Sequence, residues 1–158
     1  MQTLMPKTAD NAYRGSLAAL WLLAPVLIVK IMMGFNVAGL NPFVDNRYII
    51  KTADGVPLDS FSAEAQELVM FLFSSWGLNL LLICIFAVIV LVRFRSLIPL
   101  AILWLATEQV GRKLLAGLTL NPDPSAAFSF GSLINWAFSI LLVVAFVLSL
   151  VPRRGRTE

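Results

Sequence analysis

Residues 67–92 read ELVMFLFSSWGLNLLLICIFAVIVLV, with an acid at the first position and no other charged side chain. Crossing roughly 30 Å of hydrocarbon takes about 20 mostly apolar residues as a helix. Lipid offers no partner to backbone N–H and C=O groups, so such a run closes its hydrogen bonds within itself. This one is longer than the minimum, so its start stands among the headgroups or the helix tilts.

Working outward, three further runs have the same character. Residues 16–35 form the first, interrupted by Pro25 and Lys30. Residues 97–118 form the third and are the least apolar, holding Glu108, Gln109, Arg112 and Lys113. Residues 130–151 form the fourth, which stops at Pro152-Arg153-Arg154. The predicted fold is an all-α membrane protein, a four-helix transmembrane bundle making one domain over residues 1–158. The length of the first run and the lack of a small-x-small cleavage site predict a retained span rather than a signal peptide.

Composition agrees. The chain is 59% hydrophobic and 13% charged, against roughly 25% charged in a soluble domain. It contains no histidine, and Cys84 is its only cysteine. That excludes histidine-ligated haem, the usual catalytic zinc sites, an intrachain disulfide, and Ser-His-Asp or Cys-His catalysis. No cofactor and no metal is expected. Cys84, inside Leu-Leu-Leu-Ile-Cys-Ile-Phe, reads as a small lipid- or core-facing residue. The net charge of +3 comes mostly from bases at segment ends, not from a patch interleaved with aromatics, so nucleic acid is not an expected partner.

The bases set the orientation. Lys7, Arg14, Arg93, Arg95, Arg153, Arg154 and Arg156 fall on one side, seven against the four of Arg47, Lys51, Arg112 and Lys113. The positive-inside rule then places both termini in the cytoplasm and the loop of residues 36–64 outside. Arg93-Phe94-Arg95-Ser96 joins spans two and three as a tight antiparallel hairpin, and Pro99 falls in the first turn behind it. In the long loop, Asp54-Gly55 between Tyr48-Ile49-Ile50-Lys51 and Val56-Pro57-Leu58 predicts a small ordered hairpin or turn over residues 49–58, lying over the outer mouth of the bundle. Ser62 is the N-cap candidate for span two. Gly34 and Gly39 read as a helix end rather than a packing motif.

Ionisable side chains within spans carry the functional interest, since each costs about 2.5 to 3.5 kcal/mol to insert. Lys30 lies fourteen residues beyond Ser16 and Glu108 eleven beyond Leu97, so in this topology they reach similar depth. A Lys30–Glu108 pair is one reading. Glu108 pairing locally with Arg112, four residues on, is a second, and Lys30 snorkelling to the headgroups is a third. Ser75 and Asn79 on span two, with Ser132, Asn135 and Ser139 on one face of span four, fall in the same outer half. The candidate polar site is therefore Lys30, Ser75, Asn79, Glu108, Arg112, Ser132, Asn135 and Ser139, above an apolar inner half. Side chains of this kind also serve as interhelical hydrogen bonds, with no ligand involved.

Three pieces carry a resemblance: Ala53-Asp54-Gly55-Val56-Pro57-Leu58, the turn Val92-Arg93-Phe94-Arg95-Ser96-Leu97-Ile98-Pro99, and Glu108-Gln109-Val110-Gly111-Arg112-Lys113. Residues 52–113 resemble uncharacterised small bacterial inner-membrane proteins, and the helix count is similar to that of the DoxX-like family of four-helix proteins. The resemblance implies a bacterial cytoplasmic membrane and transfers no catalytic residue. The expected role is non-catalytic: an accessory subunit, or a binder of a small apolar ligand such as a lipid or quinone in the outer half. A membrane enzyme or ion-coupled carrier using Glu108 and Lys30 is the first rival, and a passive structural subunit the second. The expected partners are the lipid bilayer and other membrane subunits or further copies of the chain.

Overall fold

The computed structural model describes residues 4–53, 56–119 and 130–152. These are all-helical, with no strand among them and a single isolated antiparallel bridge between Gly15 and Pro152. Helix α1 spans Leu17–Val37, α2 Asn46–Ala53, α3 Ala63–Arg93, α4 Ile98–Thr119 and α5 Phe130–Leu150. Single 3₁₀ turns cover Leu58–Ser60 and Arg95–Leu97. Three helices are long and apolar enough to cross a membrane: α1, α3 and the Leu133–Leu150 part of α5. Helix α4 has the length, but Glu108, Arg112 and Lys113 interrupt its apolar run.

The chain divides into two compact units, Met1–Leu27 with Ile85–Glu158, and Ile28–Cys84. In the first unit, α4 packs along α5. The N-terminal segment is strapped to the α3–α4 turn and to the end of α5. Ser96, in the turn between α3 and α4, accepts from the Asp10 N–H at 2.9 Å. Its hydroxyl and N–H both donate to the Asp10 carbonyl, at 3.0 and 3.2 Å. Ser16 N donates to Leu148 O on α5 at 3.4 Å, beside the Gly15–Pro152 bridge. A Cβ at Gly15 would collide with the Ser149 carbonyl and the Tyr13 ring, so only glycine lets the strap lie this close. Tyr13 donates to Ser16 O at 3.0 Å, and burial pushes its phenol up to about 12. The Arg14 guanidinium hydrogen-bonded to Asp10 holds that carboxyl below the usual carboxylate range, so it stays charged at neutral pH.

In the second unit, α1 ends as the sequence predicts. Gly39 takes a positive φ of 72°. Its N–H bonds to Asn36 O and that of Leu40 to Phe35 O, the double closure of a glycine-terminated helix. Gly34 corrects the reading that pairs it with Gly39 as helix end alone. It lies inside α1 against α3, where an added Cβ would sit 3.1 Å from Gly77 O and 3.0 Å from Leu81 Cγ. A Cβ on Gly77 would run into the backbone of Val37 and Ala38. The two glycines thus let α1 and α3 approach backbone to backbone, which side chains would forbid. Ser62 caps α3, its hydroxyl accepting from Ala65 N at 3.3 Å.

Of the hairpin or turn predicted over residues 49–58, the strands do not form among the described residues, where helix α2 and a 3₁₀ turn stand instead. Asp54-Gly55 itself lies outside the described residues. The reason is the residue before the helix. Asp45 Oδ1 accepts the Arg47 N–H at 2.9 Å, capping a helical start that the Asp-Gly signal does not anticipate. Thr52 donates back to Tyr48 O at 2.7 Å, one turn earlier. Ile50 is then buried, Val56 N returns to Ile50 O at 3.3 Å, and Lys51 pairs with Asp59. Asn46 ties α2 to α3 through Ser74 Oγ at 3.1 Å. The segment still turns back on itself, but by helical means.

The glycine contact yields the first test. Gly77→Leu should lower stability by about 1 to 3 kcal/mol, the range for overpacking. Gly111→Ala meets nothing within 4 Å and should be neutral or gain roughly 0.5 to 1 kcal/mol by stiffening the helix. Thermal melts in detergent separate the two. Equal loss from both would mean that no tight crossing exists at Gly77.

Candidate functional site

Four of the residues singled out from sequence come together on facing sides of α4 and α5. Gln109 is their hub, buried with 1% of its surface exposed. Its Nε2 donates to both the backbone O and the side-chain Oδ1 of Asn135, each at 3.1 Å. Arg112 Nη2 donates to Gln109 Oε1 at 3.4 Å and to Asn135 Oδ1 at 3.3 Å. Arg112 Nε faces Glu108 Oε1 at 3.4 Å, the local pair four residues apart. Ser139 Oγ donates to Asn135 O at 2.9 Å, one turn along α5. The helix period explains the assembly. Residues 108, 109 and 112 share one side of α4, and 135 and 139 share one side of α5.

The network is largely self-satisfied. Among the described residues no buried side-chain nitrogen or oxygen lacks a hydrogen-bond partner. The side chain of Glu108 is 13% exposed and that of Arg112 is 32% exposed, so the cationic end is the more open one. Beyond it, the Lys113 ammonium sits 5.0 Å above the ring of Trp136, a cation–π contact between the two helices. Trp136 is itself exposed, as are Leu114, Leu115, Leu118 and Leu133 nearby in sequence. The chemistry on offer is a cationic, aromatic-flanked edge bordered by leucines. Among the described residues no three of Asp, Glu and Cys converge as a metal site would require.

Lys30 is buried, with 2% exposed, on the same side of α1 as Gly34 and Val37. A lysine reaching for headgroups keeps its end at the surface, and Lys30 does not. Ser75 and Asn79 are exposed on α3. The side chain of Ser132 lies outside the described residues. Gln109, Ser96 and Ser149 are buried polar groups that the sequence reading leaves out of the site. Gln109 sits between Glu108 and the Arg112-Lys113 pair and is overshadowed by them. Its place one turn before Lys113 and on the apolar side of α4, with Leu105 and Ile102, is the signal that identifies it. Ser149 donates to Phe146 O at 2.6 Å and so serves its own helix. No known protein family matches the chain, and neither a curated protein nor a solved structure matches it.

Gln109→Leu removes two donors and leaves Asn135 partly unpaired, and should cost about 1 to 3 kcal/mol. Adding Asn135→Leu should then cost less than it does alone, with a coupling of about 0.6 to 1.7 kcal/mol. Melts of both single variants and the double variant measure this. Strict additivity would show that the two amides do not act together.

Proposed function

We propose that the chain is a four-span protein of a bacterial cytoplasmic membrane with both termini inside. On this reading it works without catalysis, as an accessory protein that holds a lipid or quinone at the outer half of α4 and α5. The topology is supported by the strap. The N-terminal segment, the α3–α4 turn and the end of α5 meet through Asp10, Ser96, Ser16 and Leu148. Three chain segments that share one end of the helices belong on one side of the bilayer. Helix α4 starts at that end and packs along α5, which supports a crossing despite its charges. The Arg112–Glu108 pair and the bonds to Gln109 and Asn135 lower the cost of burying those charges. Packing against α5 also explains how the least apolar helix is accommodated.

The ligand reading rests on one observation, the Lys113 ammonium held over Trp136 at the edge of the network. Lysine and tryptophan at headgroup depth form an anchor where one end is wet and the other apolar. A phosphate or a quinone carbonyl oxygen would accept from Lys113, and its tail would lie along Leu114, Leu118 and Leu133. Gln109, Asn135 and Ser139 spend their hydrogen bonds on each other, which favours holding over chemistry.

Two measurements test the proposal. Cysteines placed at Thr52 and Gly155, in a Cys84→Ser background, should label from opposite sides of sealed vesicles. Labelling from one side would leave α4 uncrossed and end the four-span reading. Native mass spectrometry of protein taken from bilayers of equal phosphatidylglycerol and phosphatidylethanolamine should show retained phosphatidylglycerol, reduced several-fold in Lys113→Gln. Ubiquinone added in a parallel sample separates the quinone from the phospholipid. Identical retention by Lys113→Gln and the wild type, for both ligands, would remove the ligand reading.

A further inference from the structure

Helix α3 carries an exposed seam with a polar residue at its middle. Leu68, Leu72, Ser75, Asn79, Leu82, Phe86 and Ile89 are spaced alternately four and three residues apart, and all are exposed. This is the seven-residue period of a helix that packs against another helix. The opposite side of α3, with Gly77, Leu80, Cys84, Ala87 and Val90, is already buried. Asn79 lies twelve residues after Glu67 and fourteen before Arg93, the nearest charges in either direction. At about 1.5 Å per residue its amide stands close to the centre of the hydrocarbon. Among the described residues no hydrogen bond to the Asn79 side chain is formed. A carboxamide left bare in lipid is costly, and intramembrane polar groups face protein in nearly all cases.

We infer that this seam docks α3 of a second copy of the chain, with Asn79 bonded to its twin. Three features select a second copy over another partner. Every copy inserts with the same orientation, so symmetry brings Asn79 to Asn79 at equal depth with no further matching. The carboxamide both donates and accepts, so it is complementary to itself. The seam also repeats every seven residues, which suits a like helix crossing at a small angle, and Ser75 one turn away permits close approach. A single asparagine in such a seam fixes register and partner number.

The full chain in membranes provides the test. In a Cys84→Ser background, Ser75→Cys and Leu82→Cys should each give disulfide-linked dimers with copper phenanthroline. Ile140→Cys, equally exposed but on α5, should not. Should the background variant fold poorly, wild-type Cys84 serves as well, because it is buried. Energy transfer between labelled copies in liposomes should show association about three- to twentyfold weaker in Asn79→Leu, the range for one interhelical polar contact. Monomers at both seam positions, equal dimer at Ile140→Cys, cross-links to a different protein, or unchanged association of Asn79→Leu would each overturn the inference.

Discussion

Helices already inserted in a bilayer gain nothing by hiding leucines from lipid, because lipid is as apolar as leucine. What holds them together is close backbone approach and the few polar bonds that cross between them. This chain shows both devices, separately in its two units. Gly34 and Gly77 let α1 and α3 touch through their main chains. Gln109 and Asn135 join α4 to α5 through three side chains and a carbonyl. Ser96 does the same work for the strap, with a hydroxyl that donates and accepts at one residue, Asp10.

The buried side of each long helix follows from this. On α1 it runs through Ala19, Leu23, Val26, Lys30, Gly34 and Val37, and on α5 through Ser139, Leu142, Ala145 and Ser149. Small and polar residues recur along these faces beside Leu23, Val26 and Leu142. Lys30 is the extreme case, a charged residue occupying a position on the buried face that alanine or glycine fills elsewhere on α1.

Much of this is legible in the sequence, and the reasons for the misses are specific. Apolar length locates α1, α3 and α5, and α4 emerges despite Glu108, Arg112 and Lys113. Helical spacing offers the Glu108–Arg112 pair as one alternative to a Lys30–Glu108 pair, and it predicts that Asn135 and Ser139 share a face. The same spacing aligns Ser75 with Asn79 but does not say which way that face points, and both prove exposed. Gly34 gains its meaning only from Gly77, a residue on another helix. The hairpin form of the reading at α2 fails because Asp54-Gly55 is a strong local turn signal and Asp45 a quiet capping one. Gln109 is overlooked since a neutral amide between charges draws less notice than they do.

The strap sets an order of events during synthesis. Asp10 can settle on Ser96 once the α3–α4 turn has emerged, but Gly15 and Ser16 have no seat until the end of α5 is made. The segment that leaves the ribosome early is therefore among the last to reach its final position. Until then Gly15 and Ser16 lack their main-chain partners, and the end of α5 lacks the strap. A nascent chain stalled before α5 would thus differ from the finished one at its N-terminal segment, far in sequence from the missing helix.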